Sequence, residues 1–202
     1  MQALFSLWFL PSRRTALAAF SLLFFAALDA SAAEWNLDRL MQALSAVKSD
    51  RATFTEKKNI SLLERPVESS GELHYTAPDR LEKKTVRPTQ ETMILEGDVL
   101  RIERGRQKHR FRLKEYPQFR GFVDSIRGTL AGDRKALEQS YQLKLEGDAK
   151  RWLLTLKPTD DKVRNTIHLI QIAGSGDRLR IIDITQTDGD TSVMTINRDR
   201  SQ

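Results

Sequence analysis

The chain has 202 residues, 33 Lys and Arg against 27 Asp and Glu, a formal net charge of +6 and no cysteine. That length fits one domain, and the missing thiols exclude a disulfide framework, so the fold must rest on its core. Charge of both signs reads as ordinary solvated surface, and the small basic excess suits an anionic partner without specifying a fold.

The first element in chain order is an export signal. Arg13-Arg14 precede an apolar run, Thr15 to Leu28, which is 14 residues long and leads into Ala30-Ser31-Ala32-Ala33. A basic n-region, a short apolar h-region and small residues spaced Ala-x-Ala make a cleavage site. A membrane span needs about 20 apolar residues, so the run reads as removed rather than retained. Cleavage after Ala32 assigns residues 1–32 to the signal and leaves 170 residues of net charge +5, outside the cytoplasm. Without cysteine there is no thiol to acylate at a mature N-terminus, which argues against a lipid-anchored protein.

The remainder, residues 33–202, opens with a helix. Asn36 is a good N-cap and Asp38 puts negative charge in the first turn. Leu37, Leu40, Met41, Leu44 and Val47 form one apolar stripe at helical spacing.

After Asp50 the period changes to two. Strands are predicted over 51–60, 71–76, 80–86, 92–95, 99–104 and 108–113, separated by Arg65-Pro66, Ala77-Pro78, Arg87-Pro88, Glu96-Gly97-Asp98 and Gly105. A helical insert follows. Pro117 precedes Phe119, Phe122, Val123, Ile126 and Leu130 at helical spacing, Gly128 and Gly132 weaken and end it, and Asp133 caps a second short helix running toward Tyr141. Strands resume over 141–146, 152–157, 166–172, 179–187 and 192–197. Asp160-Asp161, after Pro158, reads as a turn with solvated carboxylates. The expected fold is α+β but mainly β: about eleven antiparallel strands in one sheet that curls, with helices over its open side.

No catalytic, metal or cofactor motif appears. His74, His109 and His168 are too far apart for a local metal site, and there is no nucleophile elbow or glycine-rich phosphate loop. The clearest charge pattern is a basic comb, Arg104, Arg106, Lys108, Arg110, Arg112 and Lys114. Alternate strand residues share a face, so Arg110, Arg112 and Lys114 are expected to point away from Phe111 and Leu113. A solvated face is one reading and a landing surface for anionic lipid or an acidic partner the other. Nucleic acid is disfavoured by export and by the lack of aromatics on the basic face.

The order of motifs is distinctive. Ala52-Thr53-Phe54-Thr55-Glu56-Lys57 follows the apolar-striped helix; then come Ser70-Gly71-Glu72-Leu73-His74-Tyr75, Ala77-Pro78-Asp79-Arg80-Leu81 and the Glu96-Gly97-Asp98 hairpin. This succession resembles the LolA family of periplasmic lipoprotein carriers over residues 34 to 198. The resemblance implies an unclosed β-barrel with helices as a lid over a hydrophobic cavity that binds acyl chains. It implies a periplasmic, monomeric, non-enzymatic carrier that takes a lipoprotein or lipid from an inner-membrane exporter and passes it to an outer-membrane acceptor. The cavity residues expected on that pattern are Leu40, Leu44, Phe54, Leu73, Tyr75, Leu81, Met93, Leu95, Phe111, Leu113, Phe122, Ile126 and Leu130, with Gly121, Gly128 and Gly132 as lid hinges.

Two positions depart from the family pattern. Ala77 stands where the family commonly has an arginine that bonds to the lid, and Lys83 stands where a cavity aromatic is usual. Lys83 shares a strand face with Leu81 and Thr85, where a lysine either meets a polar headgroup or snorkels to the rim. The alternatives to a carrier are a lipid-sensing regulatory protein on the same scaffold and a secreted hydrolase.

Overall fold

The computed structural model describes residues 34–198. The expected export signal, residues 1–32, lies outside them. Eleven strands form one antiparallel sheet: β1 (Ser49–Asn59), β2 (Val67–Thr76), β3 (Arg80–Arg87), β4 (Glu91–Glu96), β5 (Val99–Arg104), β6 (Gln107–Arg112), β7 (Tyr141–Asp148), β8 (Arg151–Pro158), β9 (Ile167–Ser175), β10 (Arg178–Gln186) and β11 (Thr191–Asn197). Among the described residues four α-helices accompany it: α1 (Leu37–Ser45), α2 (Pro117–Ala131), α3 (Arg134–Glu138) and α4 (Asp161–Arg164).

The strand order is β6-β5-β4-β3-β2-β1-β11-β10-β9-β8-β7. Two meanders, β1–β6 and β7–β11, are therefore joined through the β1–β11 pair, where Phe54 faces Ile196 and Glu56 faces Met194. The sheet does not close. Its edges are β6 and β7, and the connection between them carries α2 and α3. No helix among the described residues is long and apolar enough to cross a membrane.

Local chemistry sets the helix ends. The Asn36 side chain accepts from the Arg39 N–H at 3.0 Å, and α1 buries Leu40, Met41 and Leu44. Pro117 opens α2, where its missing N–H costs no helical bond. The helix runs through Gly128 without a break and stops at Gly132, whose φ of 65° is left-handed. There the Asp133 N–H returns to the Gly128 carbonyl at 2.8 Å. The Asp133 carboxylate then caps α3 through the Ala136 N–H at 3.0 Å. Asp160-Asp161, expected to be a plain turn, instead starts a helical turn: Asp160 accepts from the Lys162 and Val163 N–H groups, and Val163 is buried. A single apolar residue in four gives too little periodicity to predict such a helix.

The two halves of the sheet are filled differently. Along β8, Trp152, Leu154, Leu156 and Pro158 are buried at alternate positions, and Ile170 and Ile172 of β9 and Leu179 and Ile182 of β10 join them. With Leu40, Met41 and Leu44 of α1 and Leu137 of α3 they make a continuous dry core. On the inner face of β2 to β5 only Tyr75 and Leu95 are buried and the other apolar side chains are half-buried; β3 buries none of its residues fully. Space is left there, under α2.

Candidate functional site

That space is a cavity of about 240 Å³ between α2 and the inner face of β1 to β5, β10 and β11. The register explains its wall. Tyr75 faces Leu81, Leu81 faces Leu95, Leu95 faces Leu100 and Leu100 faces Phe111, so one apolar row crosses five strands, and in the row beside it Ala52 faces Leu73, Leu73 faces Lys83 and Lys83 faces Met93. Phe122, Val123, Ile126 and Leu130 of α2 form the roof, and Ile182, Met194 and Ile196 close the side toward the dry core. A second cavity of about 320 Å³ lies toward the β6 edge, between Ile102, Phe111, Leu113, Tyr116 and Phe119. Met93, Leu100, Phe122 and Val123 line both. Phe111 meets Tyr116 edge-to-face with ring centroids 5.7 Å apart. Phe119 stands at the rim, 55% exposed.

Asp50, His74, Glu82, Lys83 and Arg198 bring charged or titratable side chains to the first cavity's lining. Asp50 and Arg198, both in the lining, form an ion pair at one end of β1. Further along the same strand, Glu56 is only 6% exposed. Its carboxylate accepts from Lys83 Nζ at 2.5 Å, Ser192 Oγ at 2.9 Å and Ser69 Oγ at 3.3 Å, and Lys58 lies 3.4 Å away. Burial pushes this carboxyl up, but the Lys83 charge and hydrogen bond, then Lys58 and Ser192, outweigh it and hold the pKa below the ordinary value. The Lys83 ammonium also sits 4.8 Å from the centroid of the Phe54 ring. Glu56 was not singled out as a site residue, although its place two residues after Phe54 puts it on the same strand face.

The thirteen expected cavity residues separate into three groups. Leu73, Tyr75, Leu81, Met93, Leu95, Phe122, Ile126 and Leu130 line the first cavity, and Phe111 and Leu113 line the second together with Met93 and Phe122. Leu40 and Leu44 lie in the dry core, and Phe54 is buried under the Lys83 ammonium; none of these three lines either cavity. The apolar stripe on α1 could not distinguish core from cavity wall.

The basic comb is shorter than expected. Arg110 and Arg112 are exposed on β6, with Arg110 opposite Arg101 of β5. Lys114 is also exposed but belongs to a one-turn 3-10 helix, Leu113–Glu115, so strand alternation ends at Arg112. Arg104 is engaged with Glu91 at 2.5 Å and Lys108 with Glu103 at 3.3 Å.

The expected hinge glycines sit at close contacts. A Cβ on Gly121 would come within 2.4 Å of Val163 Cγ2, one on Gly128 within 2.8 Å of Leu137 Cδ2, and one on Gly132 within 2.1 Å of the Met41 carbonyl. They let α2 approach α4, α3 and α1 closely. At its other side α2 is tied to the sheet by Arg127, whose Nη2 donates to the Gly97 carbonyl at 2.7 Å.

A family model described as "Outer membrane lipoprotein carrier protein LolA-like" matches residues 26–197. No curated protein matches the chain. Among solved structures, a LolA superfamily protein from Nitrosomonas europaea is similar at 11% identity and a TM-score of 0.41, covering 83% of this chain and 96% of that one. A DUF1329 family protein from Desulfovibrio piger is similar at 10% identity and a TM-score of 0.44, covering 82% and 92%. A putative outer membrane lipoprotein-sorting protein domain from Vibrio parahaemolyticus is similar at 11% identity and a TM-score of 0.41, covering 80% and 89%.

Proposed function

The chain belongs to the outer membrane lipoprotein carrier protein LolA-like family, and from that premise we propose that it is a periplasmic carrier which shields the acyl chains of a lipoprotein or lipid between the inner and outer membranes. The observation that carries this reading is the apolar cavity under α2, roofed by Phe122, Ile126 and Leu130. An acyl chain in water exposes surface that costs about 0.8 kcal/mol per CH₂, and a pocket of this composition offsets it. The cavity is not filled by the protein's own side chains as the β8–β10 core is, which suits a ligand that must leave again.

Transfer on this reading runs downhill from an inner-membrane exporter to an outer-membrane acceptor that binds more tightly, with no reaction catalysed by the carrier. Arg110 and Arg112, exposed on the β6 edge beside the second cavity, support a transient contact with an anionic membrane surface during loading or delivery.

The test is native mass spectrometry of protein purified from periplasm without detergent, with lipid analysis of the extract. A stoichiometric acylated ligand is expected. Protein that is empty, and that also fails to take up the neutral apolar dye Nile red, would overturn the carrier reading.

A further inference from the structure

The cavity wall is mostly apolar, and among its polar residues, Asp50, His74, Glu82, Lys83 and Arg198, Lys83 has a structure of its own. Lys83 is 22% exposed and lines the cavity directly below Leu81, opposite Leu73 on one side and Met93 on the other. A lysine that served only to neutralise Glu56 would leave that carboxylate bare if it moved. Here it would not. Ser192 and Lys58 attend Oε1 at 2.9 and 3.4 Å, and Ser69 attends Oε2 at 3.3 Å. Each carboxylate oxygen keeps a hydroxyl donor when the Lys83 ammonium swings away. Lys83 is thus a cation in reserve, on a flexible stem, at the boundary between an oily wall and a polar cluster.

The other cationic side chain of the lining, Arg198, is held by Asp50. Asp50 lies six residues before Glu56 on β1, a distance of about 20 Å along an extended strand. The apolar side chains of Ala52, Leu73, Leu81 and Met93 lie between these two polar ends.

Resting on the reading of this cavity as an acyl-chain site, we propose that its ligand is an amphiphile with an anionic head, a carboxylate or a phosphate, which the Lys83 ammonium takes over from Glu56. The chain lies along Leu73, Leu81, Met93 and Phe122, and the head stops at Lys83. An unpaired anion would not enter such a wall, because desolvating it costs far more than the chain gains. Lys83 therefore selects the head and sets the direction in which the ligand lies.

The experiment is displacement of Nile red from the purified protein by dodecanoate, dodecyl phosphate and dodecanol, which share one chain and differ in the head. At least a tenfold preference for one or both anions over dodecanol is expected. Preference for the carboxylate or for the phosphate identifies the head. The preference should vanish in Lys83→Met and persist in Lys83→Arg. Equal displacement by all three, or a preference that survives in folded Lys83→Met, overturns the proposal and leaves the carrier reading standing. Displacement by none of the three overturns both. The comparison of heads on the unmodified protein decides the matter even if Lys83→Met fails to fold.

Discussion

The Arg127 guanidinium and the Gly97 carbonyl, 2.7 Å apart, tie α2 to the turn between β4 and β5. The turn is itself braced, since the Gly97 N–H donates to Asp79 at 3.1 Å. Ala77 has no side chain that could reach the lid, and the bond is made in the opposite direction, from helix to sheet. Charge-assisted hydrogen bonds contribute about 1.5–3 kcal/mol. Arg127→Met keeps the stem and removes the donor. Dissociation of bound Nile red should then accelerate by roughly tenfold or more, and the thermal midpoint should fall by several degrees, as the loss of a bond of that size requires. Stopped-flow dilution measures this, and an unaltered off-rate would show that α2 does not gate the cavity.

Gly121 gives the opposite kind of prediction. An exposed helical Gly→Ala change stabilises by about 1 kcal/mol. At Gly121 the new methyl would meet Val163 Cγ2 at 2.4 Å, with Cγ1 and Cβ at 3.1 and 3.2 Å, and a helical valine has one strongly preferred rotamer, so retreat is costly. Overpacking of this kind costs about 1–3 kcal/mol. Gly121→Ala is therefore expected to lower stability in urea unfolding, and Val163→Ala in the same chain to recover part of the loss. A stabilised Gly121→Ala would mean that α2 and α4 do not pack as described.

Glu56 makes stability depend on acid. Its pKa is below the ordinary 4.5, because Lys83, Lys58 and Ser192 outweigh the effect of burial. The unfolded chain thus takes up a proton at a higher pH than the folded one. The contribution is complete above the unfolded value and is lost as pH falls through the folded value. Replacing Glu56 by Gln should destabilise at pH 7, and the gap to the unmodified protein should narrow progressively below about pH 4.5. A gap that stays constant into acid would refute the assignment.

Much of this architecture could be read from alternation and turn residues. The ends of β5 coincide with the prediction, and Asn36, Pro117 and Asp133 mark helix starts as their capping chemistry requires. What pattern could not convey is which apolar faces are packed and which stand open. Leu40 and Leu73 are equally regular in their periodicity, yet one lies in the dry core and the other on the cavity wall. That difference is a tertiary property, set by which side chains pack over each face. Lys114 leaves the strand face for a local reason, because the strand ends at Arg112, two residues before it. The Glu56–Lys83 pair joins residues 27 apart, and only the strand register brings them together.

The basic edge makes a quantitative prediction. Each cation near an anionic bilayer contributes about 1 kcal/mol. Reversing both Arg110 and Arg112 to Glu should weaken sedimentation with phosphatidylglycerol vesicles by roughly 30-fold or more, and added salt should weaken the unmodified protein in the same direction. Lys114→Glu should have a smaller effect, since that residue has left the strand face. Equal binding to neutral phosphatidylcholine vesicles would remove the electrostatic role.

Phe122 is the residue on which the cavity reading is most exposed to failure. It belongs to α2, lines both cavities and is half-buried rather than locked in the core. Phe122→Glu places a carboxylate where an acyl chain would pass. The free protein can tolerate it, because the cavity stands open to water at its rim beside Phe119. A bound chain cannot, because it would desolvate the charge at a cost of several kcal/mol. The variant should fold, as judged by circular dichroism and a cooperative thermal transition, while losing Nile red and acyl-ligand binding by at least tenfold. Phe119→Glu is the control. That side chain touches only the second cavity and is already 55% exposed, so its substitution should weaken binding far less. If folded Phe122→Glu takes up lipid as the unmodified protein does, the space under α2 is not the ligand site.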